Sequence, residues 1–382
     1  MLAHPRMIRP EFTLGSQNMM RIVVYGLVCS WGLIWNLTGG AARLSAQTVE
    51  LVAGGGKLAP PGLAGQVQLD TPFGVDFDKA GQLWFVELNG HRVGRINRQG
   101  QLAILAGTGV KGYSGDGGPG TAATFNGMHN LSIGPQGEIY LSDTWNQVVR
   151  RFDPETGVVT TVAGTGTKGF SGDGGPATQA QFGGIYCVSI HPAGDRLLLV
   201  DLDHKRIREV NLKSGIVRTV AGNGRGGIPA DGALATESPL VDPRAVVADL
   251  AGRLYVLERG GHALRVVELD GKIHTLVGTG KKGYTGDGGP GHEATLNGPK
   301  HLCWDREGNL LIADTDNHVI RCYHLTSQRI TTVAGTGRIG RGGVGGSPNQ
   351  LEMNQPHGVF VHPQGDLYIA DSHNHRILRI HK

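Results

Sequence analysis

Two markers that each recur six times, about 57 residues apart, predict an all-β chain: a six-bladed β-propeller of four-stranded antiparallel blades, closed by its N-terminal strand. The first marker is a strand ending, at Ala53-Gly54, Ala106-Gly107, Ala163-Gly164, Ala221-Gly222, Val277-Gly278 and Ala334-Gly335. The second is an acidic residue that closes an apolar run, at Glu87, Asp143, Asp201, Glu258, Asp314 and Asp371. A third observation agrees with both: 63 glycines among 382 residues, without the Gly-X-Y period of collagen, suit many short strands joined by tight turns.

Within one unit, residues 129–166 read as four short strands separated by "PQG", "DTWN" and "PETG", each supplying the Gly, Pro, Asn or Asp that a turn needs. Four strands make one sheet, and a lone sheet cannot cover both of its faces, so six sheets packed around an axis are expected. The last unit has only three strands and ends in "HRILRIHK". The segment "TVELVAGGG" at 48–56 matches the fourth-strand pattern "VTTVAGTG" and is expected to complete the sixth blade. Such closure removes an exposed sheet edge and ties down the terminus.

Residues 1–46 are expected to be a signal peptide, or a membrane anchor, with an upstream segment. Arg21 precedes an apolar run at 22–38, and "LSA" ending at Ala46 offers small residues for cleavage, while Met19 and Met20 are alternative starts. The propeller domain is then 47–382, placed outside the cytoplasm, periplasmic or secreted, or tethered to the membrane by residues 22–38. The net charge of +4 is spread along the chain without a basic block, which speaks against a nucleic-acid partner. Beyond Cys29 in the leader, Cys187, Cys303 and Cys322 are odd in number and lack a CxxC pair, so small buried hydrophobes are expected instead of a disulfide framework.

The stretches "DTDNHVIR" at 314–321 and "DSHNHRIL" at 371–378 resemble the NHL-repeat propellers, with variants "ELNGHRVG", "DTWNQVVR", "DLDHKRIR" and "ERGGHALR" in the other units. The resemblance covers residues 48–382 and places the Asn-His pair at the turn between the second and third strands. It implies a propeller that binds a partner on one face; some NHL propellers bind RNA there, which the expected export signal opposes.

Glycine motifs of the form G-x-G-x-x-G begin at residues 107, 164, 222, 278 and 335. A dinucleotide site needs that motif once, between a strand and a helix, so five copies read as periodic turn chemistry. The following "SGDGGP", which reads "TGDGGP" in the third copy, is intact three times, with Asp116, Asp173 and Asp287, and then leads into a short stretch expected to form one helical turn. These aspartates are expected to cap loop amides; calcium is the alternative, and needs further oxygens from a neighbour. The strand-closing acids are expected to accept amides of the following turn, and His91, His262, His318 and His375 to form turn or inter-blade hydrogen bonds.

What repeats faithfully serves the scaffold, so a site is sought where equivalent positions differ. Second in the innermost strand of blades one to six stand Phe73, His129, Tyr186, Arg244, Lys300 and His357, expected to ring one mouth of the channel as the ligand-binding residues. Such a mouth favours anionic groups. The expected function is a non-enzymatic, monomeric binding module for a protein, peptide or anionic envelope ligand, without a cofactor. An alternative follows from "QPHGVFVHPQGDLYIAD" at 355–371, which is similar to a motif of the peptidyl-hydroxyglycine amidating lyases, propellers that hold zinc with three axis-facing histidines. By that likeness His357, and less closely His129, would be metal ligands of a metal-dependent lyase or hydrolase, with Tyr186 as base and Arg244 as carboxylate clamp by location. No third histidine stands at the position: blade five has Lys300, with His301 expected to point the other way.

Overall fold

The computed structural model describes residues 47–382; the expected leader lies outside the described residues. The described residues form six antiparallel sheets, each with four main strands. Blade two illustrates the order from the axis outward: Met128–Ile133, Ile139–Asp143, Val148–Phe152 and Val158–Ala163. The second strands Leu83–Glu87, Ile139–Asp143, Leu254–Glu258 and Leu310–Asp314 are buried at every residue, because a blade is covered on both faces by its neighbours. That is why they read as continuous apolar runs without alternation. Among the described residues no helix is long and apolar enough to cross a membrane. The stretch after four of the five glycine loops forms one three-residue 3₁₀ turn, Gly120–Ala122, Ala177–Gln179, Gly291–Glu293 and Pro348–Gln350, and the connection after Ala221 does not.

Closure is as expected. Val49–Gly54 pairs with Arg376–Ile380 as the outer strand of blade six, Val49 opposite Ile380 and Gly54 opposite Arg376. Gly54 must be glycine: its φ is +80°, and a Cβ there would lie 2.1 Å from the carbonyl oxygen of His375.

The repeat histidines join one blade to the next. The amides of Gly127, Gly298, Gln355 and Thr71 donate to Nδ1 of His91, His262, His318 and His375, at 3.3, 3.1, 3.1 and 3.0 Å. All four histidines have φ between 48° and 59°, a left-handed conformation that His tolerates better than most side chains. The strand-closing acids do accept backbone amides, but of the connection before the innermost strand and not of the turn that follows, which corrects the expectation. Asp143 Oδ1 accepts from Asn126, Glu258 from Val241, and Asp371 from Asn354, at 2.7, 2.6 and 2.7 Å. The repeat asparagine completes the set: Asn146 Nδ2 donates to Asp143 Oδ2 and to the Gly112 carbonyl, both at 2.8 Å.

The "SGDGGP" aspartates have a different task from the amide capping expected of them. Each pairs with an arginine on the third strand of the following blade: Asp116 with Arg150, Asp173 with Arg208 and Asp287 with Arg321, at 2.8, 2.8 and 2.6 Å. All three guanidiniums are fully buried and also face a strand-closing acid, Asp143, Asp201 or Asp314, at 3.6–3.9 Å. Aromatic rings cover them, Tyr113 and Phe125 over Arg150, Phe170 and Phe182 over Arg208. In blade two the same loop lays Gly118–Pro119 along the outer strand, so it covers an edge that would otherwise be open.

These histidine joints make a pH prediction. A neutral imidazole accepts the amide; a protonated one cannot. Burial holds His91, His262 and His318 below their ordinary value of 6.5. The unfolded chain therefore takes up protons first as pH falls, so their contribution is complete above about 6.5 and is lost below it. Burial also pushes Asp143 and Asp314 up to about 7, with the opposite sign in the same range. The test is therefore a difference: wild type gains urea stability relative to a His91→Asn, His262→Asn, His318→Asn variant as pH rises from about 5 to about 7.5. A constant gap between the two would refute the joint.

Candidate functional site at the channel mouth

The six innermost strands neighbour one another in a closed ring, blade one against blades two and six. Each ring residue stands two positions after a residue of positive φ: Thr71, Gly127, Gly184, Asp242, Gly298 and Gln355. In five blades a break in strand register follows directly, between Met128 and Leu131 in blade two, for example. Turn and bulge together aim the side chain at the axis.

Phe73, His129, Tyr186, Arg244, Lys300 and His357 are brought together, each in contact with at least one of the others. Phe73 stacks on His357 at 4.0 Å and meets His129 edge-on at 5.1 Å between centroids. His129 packs on Tyr186 at 4.3 Å, and the Arg244 guanidinium lies 4.5 Å from the Tyr186 ring centroid. Lys300 Nζ donates to His357 Nε2 at 2.9 Å, since His357 Nδ1 gives its hydrogen to the Gln355 carbonyl at 2.8 Å. His129 Nδ1 likewise faces the Gly127 carbonyl and the Thr144 hydroxyl, both at 2.9 Å. Phe73, His129, Tyr186 and His357 are buried, so the ring is a packed floor and not an open hole.

Its electrostatics differ from the expectation in one respect. Burial pushes His129 down to about 3, with Arg244 and Lys300 adding to the fall, and it holds His357 well below the imidazole range. Both histidines are therefore neutral at neutral pH, and the positive charge belongs to Arg244 and Lys300 alone among the six. Burial also brings Lys300 down to about 8; Asp316 opposes this, and Arg259 and Arg244 add to it. Tyr186 is pushed up to about 12 by burial, which leaves its phenol protonated.

Sequence reasoning missed Arg259. It shares Asp242 with Arg244, at 3.3 and 2.9 Å, and adds a third cation at this end. Its position directly follows the strand-closing acid, where the other blades have Leu88, Thr144, Leu202, Thr315 and Ser372. The same search for departures from the repeat, moved from the innermost strand to the turn, finds it.

Among the described residues no three His, Cys, Asp or Glu side chains converge as a metal site. Phe73, from the blade between those of His357 and His129, packs against both imidazoles, and Lys300 occupies His357 Nε2. His301 serves the scaffold, its Nδ1 accepting the Val359 amide at 3.3 Å. Beyond the floor lies a cavity of about 340 Å³ opening along the axis. Its polar walls also stitch adjacent innermost strands: Asp76 accepts the Ile133 amide at 2.9 Å and Ser132 the Ile190 amide at 3.1 Å. Cys187, Cys303 and Cys322 are free and buried, and burial raises each thiol.

Fold and repeat together define the class: an NHL-repeat six-bladed β-propeller with a packed polar ring at one end of its axis. A model of the NHL repeat matches residues 353–380, the span that contains "DSHNHRIL". The chain is similar to NHL repeat-containing protein 2 of Gallus gallus, 29% identical over 349 residues, covering 80% of this chain and 46% of that protein. It spans less than half the length of the curated relatives it matches. Among solved structures it is similar to an auxiliary nutrient binding protein from Bacteroides ovatus, with TM-score 0.64 and 16% identity over 88% of this chain and 76% of that one. Streptogramin B lyase shares the fold at TM-score 0.52 and 12% identity, over 88% of this chain and 98% of that one.

Proposed function

We propose that this propeller is a non-enzymatic binding module that takes an anionic group of a protein, peptide or envelope ligand at the ring. One observation carries the reading. Arg244, Arg259 and Lys300 gather at one end of the axis against Asp242 and Asp316, which leaves one positive charge in excess where both histidines are neutral. Lys300 is half-buried, so its charge acts in a medium where water screens it weakly. The apolar run at 22–38 supports a place of action outside the cytoplasm, by secretion or by tethering. The lyase or hydrolase reading draws no support from the ring, where Phe73 contacts both candidate ligands and the Tyr186 phenol holds its proton.

Calorimetric titration of the full chain with acetate, phosphate and a peptide carboxylate at low salt tests the reading. Binding is expected, about tenfold weaker in Arg259→Gln and weakened by added salt. Absence of binding by every anion rejects the proposal. The mass of the same protein recovered from cells reads the leader, with residue 47 first if it is removed.

A further inference from the structure

The ring divides its chemistry across the axis. His357, Phe73, His129 and Tyr186 form an unbroken arc of planar, uncharged side chains from blades six, one, two and three, each touching the next. Blades four and five supply the cations. Above the arc stands Trp145, whose edge contact with His129 spans 5.4 Å at 87°. The indole is seated on backbone: a Cβ at Gly127 would come within 2.3 Å of it, and one at Gly184 within 3.6 Å. Yet Trp145 remains 44% exposed, whereas Trp84 in the core is 1% exposed. The equivalent turn positions hold Asn89, Asp203, Gly260, Asp316 and His373, so the indole is again a departure from the repeat. A rigid aromatic surface held open beside a charged pocket is a feature of binding sites more than of scaffolds.

Across the mouth, Arg244 is fastened to Asp242 by two hydrogen bonds, at 3.0 and 3.2 Å. Arg259 makes one such bond, at 3.3 Å, and Lys300 spends one of its three hydrogens on His357. Donors to a ligand therefore remain on Arg259 and Lys300. One excess positive charge matches a singly charged carboxylate better than a doubly charged phosphate.

We propose that the mouth binds a carboxylic acid with a flat aromatic body, its carboxylate on Lys300 and Arg259 and its ring against Trp145. This rests on the anion reading of the preceding subsection and narrows it. The polarity of the ligand repeats that of the ring, apolar and planar over blades one to three, anionic over blades four and five.

The probes are 3-phenylpropanoate, acetate, inorganic phosphate and the uncharged 3-phenylpropanol, titrated into the full chain by calorimetry and by tryptophan emission. The expected order places 3-phenylpropanoate at least about tenfold tighter than acetate or phosphate, with a change in emission that Trp145→Ala removes. In Trp145→Ala and in Trp145→Ser, both checked for native circular dichroism, 3-phenylpropanoate falls to the affinity of acetate. The double variant Arg259→Gln, Lys300→Gln loses all the acids. Equal affinity for acetate and 3-phenylpropanoate in the wild type overturns the flat-body proposal and leaves the anion reading standing. Binding of 3-phenylpropanol as tight as that of the acid overturns the carboxylate half, and failure of every acid overturns both.

Discussion

Deletion of residues 48–53 is expected to abolish cooperative unfolding of the propeller, or to lower its thermal midpoint by more than about 10 °C. The segment is six residues of chain, but it is the outer strand of blade six, paired with Arg376–Ile380 along its length. Val49 is 2% exposed and Ala53 fully buried, and Val49 packs in one apolar cluster with Leu351, Met353, Val359, Leu378 and Ile380. Its backbone also holds the loop before blade six: Val49 donates to the Gly346 carbonyl and accepts from the Gly345 amide, at 3.0 and 2.8 Å. Burying the apolar side chains of this strand contributes roughly 5 kcal/mol, comparable with the whole stability of an ordinary domain. Its loss also bares the edge of the strand Arg376–Ile380 to other chains, so aggregation on heating is expected to accompany the change. Circular dichroism melts of the deleted and intact chains decide it. An unchanged midpoint would mean that five complete blades and a three-stranded sixth suffice, and closure would have no energetic role.

This strand was legible before any coordinates because its partner is missing from the other end of the chain. The repeat counts to four in every blade but the last, and "TVELVAG" is the orphan that restores the count. The same counting located the ring, since Phe73, His129, Tyr186, Arg244, Lys300 and His357 share one position and differ in chemistry. What the sequence could not carry is the state of those side chains. His129 and His357 read as positive, and only burial, which depends on how closely Phe73 and Tyr186 pack on them, makes them neutral. The glycine loops failed for a related reason. Asp116 lies about 34 residues before Arg150, in the loop that leads into the blade of Arg150 and folds over its outer strand, and spacing along a chain does not reveal a pair made across a whole blade. A signal was present nevertheless: an arginine stands at that distance after Asp173 and Asp287 as well, so three intact loops come with three arginines. Repetition marked the aspartate as scaffold; its partner had to be sought at the same repeat interval.

Those loops give the second large expected effect. Arg150→Ala should cost on the order of 3–5 kcal/mol, the usual result of removing one member of a buried ion pair. The Arg150 side chain is fully buried, and so is Asp143, 3.6 Å from it. Above about pH 7, where Asp143 is ionised, truncation leaves that carboxylate without its cation, and it opens a void between Tyr113 and Phe125. Arg150→Met separates these two causes, because it fills most of the void and restores no charge, so an intermediate cost is expected. Asp116→Ala should be the mildest of the three, about 1 kcal/mol, since Asp116 is 48% exposed and its loss leaves Arg150 paired with Asp143 and with the Ser114 carbonyl. Its effect is instead local. The loop at 113–119 loses one of the ties that hold it over the outer strand of blade two and keeps the Ser114 carbonyl on Arg150 and the Gly118–Pro119 pairing, so its amides should exchange hydrogen faster while those of Val148–Phe152 do not. Urea unfolding gives the order of the three variants, and exchange gives the location. If Asp116→Ala proved as costly as Arg150→Ala, the exposed carboxylate and not the buried one would be the partner on which blade two depends. The assignment of the glycine loop as an outer cover, held by a charge beneath it, would then have to be reversed.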